Sequence, residues 1–270
     1  PTLSMLTHLA REIAHSRILV LGTYRDTDLD RTHPLSQALG ELSEVLKSRV
    51  SNLKFQISNF KSEILPWQIG RDLPLPTEID MSLIDDIATK WLECCRRTGV
   101  TLKAIRSEIV QPERFNALVR EYDNKALALS RTSLNLLRSV WNPDDEQPTL
   151  VICDKHGGRN RYDDLLAEVL DDRMVFAIGE SRERSVYRVG STELRFQMKA
   201  EANFPVALAS LVCKYVRELS MHVFNQFWAE QVPGLKPTAG YPVDALRFRA
   251  DIAEAQARLT ISDDVLWRER

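Results

Sequence analysis

Apolar runs closed by polar or glycine turns, set between segments with helical spacing, predict an α/β fold for this chain. Three observations carry that reading. RILVLGTYRD (17–26) and PTLVICDKHGG (148–158) are short apolar stretches ending in charged or glycine residues, as buried parallel strands do. Stretches such as MSLIDDIATKWLECCRRTG place apolar residues three and four apart, which predicts amphipathic helices. SVYRVG and ELRFQMKAE flank Gly190 and Ser191, the signature of a hairpin.

Taken in order, residues 1–15 predict a helix through Leu3, Leu6, Leu9 and Ile13, the run from Arg17 a strand, and HPLSQALGELSEVLKSRV a second helix with Pro34 near its start. NLKFQISNF alternates like a half-buried strand, and the proline-rich LPWQIGRDLPLPTEID suits an irregular connection. A helix from Met81 stops at Gly99, and VTLKAIRSEIV follows as a strand. PERFNALVREY and ALALSRTSLNLLRSVW are helical, the run from Pro148 is a strand, and RYDDLLAEVLDD is a helix. MVFAIGE and the hairpin add three short strands. Helices at about 206–230 and 243–258 close the chain, separated by PGLKPTAGYP. The organisation is therefore 1–46, a connecting segment 47–80, and a main domain 81–270.

Hydrophobic content of 44% and charged content of 27% are ordinary for a globular chain long enough to build real cores. A formal net charge of −2 excludes a global basic field, so any nucleic-acid site must be a local patch. Cys94, Cys95, Cys153 and Cys213 show no CxxC spacing, which argues against a zinc ribbon or disulfide framework and fits a reducing cytoplasm. No apolar run approaches the ~20 residues of a membrane span, so no membrane partner is expected. The chain opens at Pro1 rather than Met, which leaves room for sequence upstream.

Residues 1–45, which include LSMLTHLAREIAHSRILVLGTYRDTDLDRTHPLSQALGEL, resemble part of an AAA-type ATPase domain of bacterial regulators. The resemblance implies that Gly22 to Asp26 end a strand beside a nucleotide. The phosphate loop GxxxxGK[ST], whose amides and lysine cradle phosphates, occurs nowhere in the chain, so no complete ATP site is expected.

Residues from about 95 to 270 resemble the type 2 ribonuclease H family, a divergent bacterial branch with ribonuclease H-like architecture. DNKALALSRTSLNLL resembles a lysine-bearing turn that opens a helix, with Lys125 as its cation. TLVICDKHGGRNRY resembles the central strand whose last carboxylate, here Asp154, binds metal. KAEANFPVALASLVCKYVRE resembles the second acidic block, with Glu201 where aspartate is usual, Lys214 as the helix lysine, and Arg217 with Glu218 as an Arg-Asp-like pair. KPTAGYPVDALRF resembles the loop beside the substrate strand, matching Gly240 and Tyr241, with Asp244 where a histidine is typical. The resemblance implies a ribonuclease H-like mixed sheet flanked by helices, preceded by a helix–strand–helix ATPase-like stub. It also implies magnesium-dependent hydrolysis of the RNA strand of RNA–DNA hybrids, with Mn2+ as a possible substitute.

Two-metal phosphodiester hydrolysis needs carboxylates converging from separate strand ends, because hard cations take oxygen ligands. Asp154 and Glu201 are the candidate ligands and Lys214 the candidate phosphate contact. Arg159, Arg161, Lys125, Arg217 and Tyr241 are the candidate nucleic-acid contacts, Tyr241 as a stacking platform. His156 reads as an unliganded turn histidine, and Phe224 with Trp228, four apart, as core. The family's first acidic block, an Asp-Glu pair before a glycine-rich turn, has no counterpart; Asp72 stands alone among prolines, and Asp26 belongs to the ATPase-like segment. The residues thus leave open a domain that keeps the fold and binds nucleic acid, or serves structurally, without cutting. An ATP-binding regulator fragment is the remaining alternative.

Overall fold

The computed structural model describes residues 17–21, 54–58, 65–68 and 81–269. The helices expected over 1–15 and from His33 to Val50 lie outside these residues, as do Asp26 and Asp72. The described elements are β1 Arg17–Leu21, β2 Lys54–Ser58, α1 Met81–Thr98, β3 Ala104–Glu108, α2 Pro112–Tyr122, α3 Lys125–Arg138, β4 Thr149–Asp154 and α4 Asp163–Val169. There follow β5 Phe176–Glu180, β6 Arg184–Val189, β7 Thr192–Gln197, α5 Phe204–Gln231, α6 Pro242–Arg258 and α7 Asp263–Leu266.

The α/β class and the mixed sheet flanked by helices are as expected. Among the described residues the main sheet runs β1-β4-β7-β6-β5. β1, β4 and β7 are parallel, and β6 is antiparallel to both of its neighbours. β1 pairs residue for residue with β4, from Arg17↔Thr149 to Leu21↔Cys153. β2 and β3 pair in parallel as a separate two-stranded sheet.

Local signals place the elements. Gly99 takes φ 68°, and the Val100 N–H returns to the Cys95 carbonyl at 3.0 Å, the glycine stop of a Schellman ending. Asn124 caps α3, its Oδ1 accepting from the Ala126 and Leu127 amides at 2.9 and 3.0 Å. Gly190, at φ 55°, makes the hairpin turn between β6 and β7.

Alternation along β7 and β6 sorts their side chains onto two faces of the sheet. The inner face carries Val151, Cys153, Tyr187, Val189, Leu194 and Phe196, packed with Leu134 and Leu137 of α3 and Leu165 and Leu166 of α4. Tyr162 lies flat on Phe196, centroids 3.8 Å apart and rings 7° from parallel, at the heart of this core. On the outer face, β4 presents Leu150 and Ile152 to Val206 at the start of α5 and to Ala200. α5 packs over β4 and β1. A second core joins α5 to α6 through Phe227, Trp228, Phe248 and Ile252, closed by Leu65, Trp67 and Leu266. Trp228 and half-buried Phe224 are therefore core, as expected.

Candidate functional site

β4 ends in Asp154, and the chain turns back through Gly157 and Gly158 at φ 60° and 82°, conformations that suit residues without a Cβ. Lys155, which sequence reasoning passed over, ties this turn together. Its ammonium reaches Ser185 Oγ at 3.0 Å, Asn160 Oδ1 at 3.1 Å, and the carbonyls of Ser181 and Arg159 at 2.5 and 3.3 Å. Burial lowers its pKa, against the pull of the Glu180 charge. Ser185 Oγ in turn donates to the Asn160 carbonyl.

Beneath the turn runs a buried hydrogen-bond chain. The His156 N–H donates to the Tyr162 hydroxyl at 2.9 Å, the Tyr162 N–H donates to the Tyr187 hydroxyl at 2.9 Å, and Tyr187 donates to Glu180. Burial pushes the Tyr162 hydroxyl up to about 12 and raises that of Tyr187 as well, so both stay protonated. His156 is 1% exposed with Nδ1 3.0 Å from Ser130 Oγ, which makes it a core residue pinning α3 to the turn.

Asp154 itself is only lightly engaged. One carboxylate oxygen sits 3.4 Å from the Ala200 amide, a long contact that keeps the carboxylate half-exposed. That contact brings in Glu201: Ala200 to Ala202 form a 3₁₀ turn at the end of β7, and Glu201 projects from it into solvent. The structure thus sets the two predicted ligands on neighbouring elements at one edge of the sheet. Among the described residues no group of three or more His, Cys, Asp or Glu side chains is arranged to hold a metal ion. Two carboxylates still suit a hard cation such as Mg2+, which is commonly held by one or two carboxylates, waters and substrate phosphates.

The other predicted residues fall into separate groups. Arg161 is exposed beside this edge, paired with Asp163 at 2.7 Å and near Glu180 at 3.6 Å, and Arg159 is half-buried in the turn. Lys125 is exposed in the first turn of α3, five residues before Ser130. Lys214 is half-buried about 15 Å of helix axis beyond Phe204. It would meet a phosphate well away from Asp154.

Arg217 and Tyr241 do come together. The guanidinium lies 5.5 Å from the Tyr241 ring centroid and donates to the Ala239 carbonyl and, at 2.9 Å, to Glu218. Arg217 therefore anchors the 237–242 loop. Asp244 holds the same loop by accepting from Thr238 Oγ1 at 2.6 Å and the Ala239 amide at 2.9 Å.

Pro205 enters α5 in its first turn, and the helix buries Val206, Leu208 and Ser210, with Ala207 and Ala209 half-buried. Burial pushes the Cys153 thiol to about 12 and that of Cys213 to about 11, so neither is a thiolate nucleophile. No helix among the described residues is long and apolar enough to cross a membrane. Searches against protein-family models and against curated protein sequences found no match for the chain.

Proposed function

We propose that this chain is a ribonuclease H-like module that hydrolyses the RNA strand of RNA–DNA hybrids in a magnesium-dependent reaction, acting in the cytoplasm. One observation carries the reading: the 3.4 Å contact between the Asp154 carboxylate and the Ala200 amide, which seats the Glu201 turn against the end of β4. Two carboxylates, one half-exposed at the end of β4 and one exposed on the turn after β7, are free to take up a ligand. Asp154 and Glu201 would hold Mg2+, or Mn2+, which would supply a Lewis acid for the phosphate and a more acidic water. Lys155 is committed to holding the turn, so the protein's own contribution is a rigid mount for Asp154. Arg159 and Arg161 stand beside it for the backbone phosphates, while Lys214, Lys125, Arg217 and Tyr241 would contact more distant parts of a duplex.

The donor count favours a second reading, in which the edge binds nucleic acid without cutting it. Hydrolysis of an end-labelled RNA–DNA hybrid in Mg2+, compared with Asp154→Asn, separates the two. Cleavage abolished by Asp154→Asn supports the hydrolase; an equal, background rate from both proteins leaves only the binding module.

A further inference from the structure

The half of the outer sheet face that α5 leaves uncovered is basic, carries an exposed aromatic, and runs directly into Asp154. Strand register fixes which side chains share it. Asp154 pairs with Gln197, and Gln197 with Arg184, in one row. Ile152, Arg195, Val186 and Gly179 make the next row, and Leu150, Glu193, Arg188 and Phe176 the third. On β4, Leu150 and Ile152 are apolar and meet Val206; on β7, β6 and β5 the rows carry three arginines, Glu193, Gln197, Val186, Gly179 and Phe176. Phe176 is 52% exposed, and Ile178 at the adjacent β-bulge is 61% exposed.

The net charge on this face is positive. Arg188 and Arg195 flank Glu193, which pairs with Arg195 and, at 3.8 Å, with Arg188, while Arg184 lies in the Gln197 row. Arg184 is exposed and has no ion-pair partner among the described residues. A shallow depression of about 300 Å³ opens between Arg188, Arg195, Glu193 and Leu150 at the hairpin end. From Asp154 to Phe176 the surface spans three strand spacings and four residues, roughly 20 Å on the diagonal.

We propose that this open face is a platform for single-stranded nucleic acid, leading an unpaired strand to or from the Asp154 edge. The inference rests on the proposed nucleic-acid reading and names the form of substrate it takes. Arg184 and Arg188 neutralise phosphates, and Phe176 offers a ring to any base, a sequence-tolerant combination of backbone charge and stacking. A flat face with an aromatic beside an arginine suits a splayed strand, whose bases are free to stack; a duplex keeps its bases stacked on one another.

The test is fluorescence anisotropy of the full chain with a labelled oligo-U twelve-mer in EDTA, so that binding is read without cutting. Phe176→Ala should weaken binding on the order of tenfold. Arg184→Ala and Arg188→Ala should each reduce the slope of log K against log salt by about 0.7. Glu193→Gln should tighten binding, which loss of a merely structural ion pair would not do. Arg97→Ala, at an exposed position of α1, should change neither quantity.

All the altered side chains are exposed or half-exposed, and unchanged thermal unfolding would show that the variants fold. No binding in 50 mM salt, equal effects from Arg97→Ala, or a preference for duplex or for anionic vesicles would overturn the platform. Cleavage lost in Asp154→Asn with oligo-U binding intact would leave both readings standing. Binding dependent on Phe176 and Arg184, with no cleavage by the wild type, would sink the hydrolase alone.

Discussion

Replacing Asp244 with asparagine should destabilise the protein at neutral pH and remove part of its sensitivity to acid. Asp244 Oδ1 takes Arg247 Nη2 at 2.6 Å and Nε at 3.2 Å, while Oδ2 holds Thr238 and Ala239. Burial of the carboxylate opposes ionisation, but the bonds from Thr238, Arg247 and Ala239 outweigh it and hold the group down to about 2, against an ordinary 3.8. Because the folded pKa lies below the unfolded one, the stabilisation is present above pH 3.8 and is lost as pH falls towards 2. The span from 3.8 to about 2 caps it at about 2.4 kcal/mol. The side chain is 30% exposed, so solvent screening brings the expected contribution to roughly 1–2 kcal/mol.

Asparagine keeps one acceptor for the loop but loses the pairing with the guanidinium. The assay is urea unfolding followed by tryptophan fluorescence, wild type against Asp244→Asn, from pH 7 down to pH 3. A gap of roughly 1–2 kcal/mol at pH 7 should shrink by about half at pH 3. A gap that stays constant, or widens as pH falls, would refute the assignment of the depressed pKa to this network.

Two further substitutions test buried hydrogen bonds, one beneath the site and one at the C-terminal segment. Tyr187→Phe leaves the buried Tyr162 amide without its acceptor and should cost about 1–3 kcal/mol in urea unfolding, with faster hydrogen exchange at that amide. Asn116 is fully buried and ties α2 to the C-terminal segment through Asp264 Oδ1, the Trp267 carbonyl and the Glu269 amide, each at 2.8 Å. Asn116→Ala should cost about 2–3 kcal/mol and expose the segment after Thr260 to limited proteolysis before the rest of the chain unfolds.

From Met81 onward the elements were legible because periodicity and punctuation agree. Gly99 stops α1, Pro112 opens α2, Asn124 caps α3, and Gly190 turns the hairpin. What the sequence could not show was pairing across distance. Nothing in RILVL indicates that it lies beside TLVIC, and nothing in KFQIS indicates that it pairs with AIRSE in a sheet of their own. Parallel partners leave no turn between them to be read.

The site divides in the same way. Asp154 and Glu201 were named from the acidic blocks that their segments resemble; Asp154 ends β4, whereas Glu201 lies on the turn after β7, and the structure places these elements together. Lys155 was missed because its acceptors come from residues 159 to 185, and no fixed spacing announces such a cage. Arg217 was legible as a cation, but its commitment to the Ala239 carbonyl depends on how the 237–242 loop folds back onto α5. The one local signal for the buried chain was the placement of two tyrosines, Tyr162 just before a helix and Tyr187 on the inner face of a strand, where large apolar rings with a polar tip need partners.

The position of Asp154 follows from a change of composition across a single sheet face. The outer residues of β4 are Leu150 and Ile152, and they draw α5 over that half of the sheet. One strand away, the same rows carry Glu193 and Arg195, and a helix covering them would have to desolvate charged groups at a cost of several kcal/mol each. The helix therefore stops at the boundary between β4 and β7. Asp154 is the last residue on the covered side, and Gln197 and Arg184 continue its row onto the exposed side. Its carboxylate is then supported from one flank by the Ala200 turn and approachable from the other. At the seam it is held by protein while remaining open to a ligand arriving across the arginine-bearing strands.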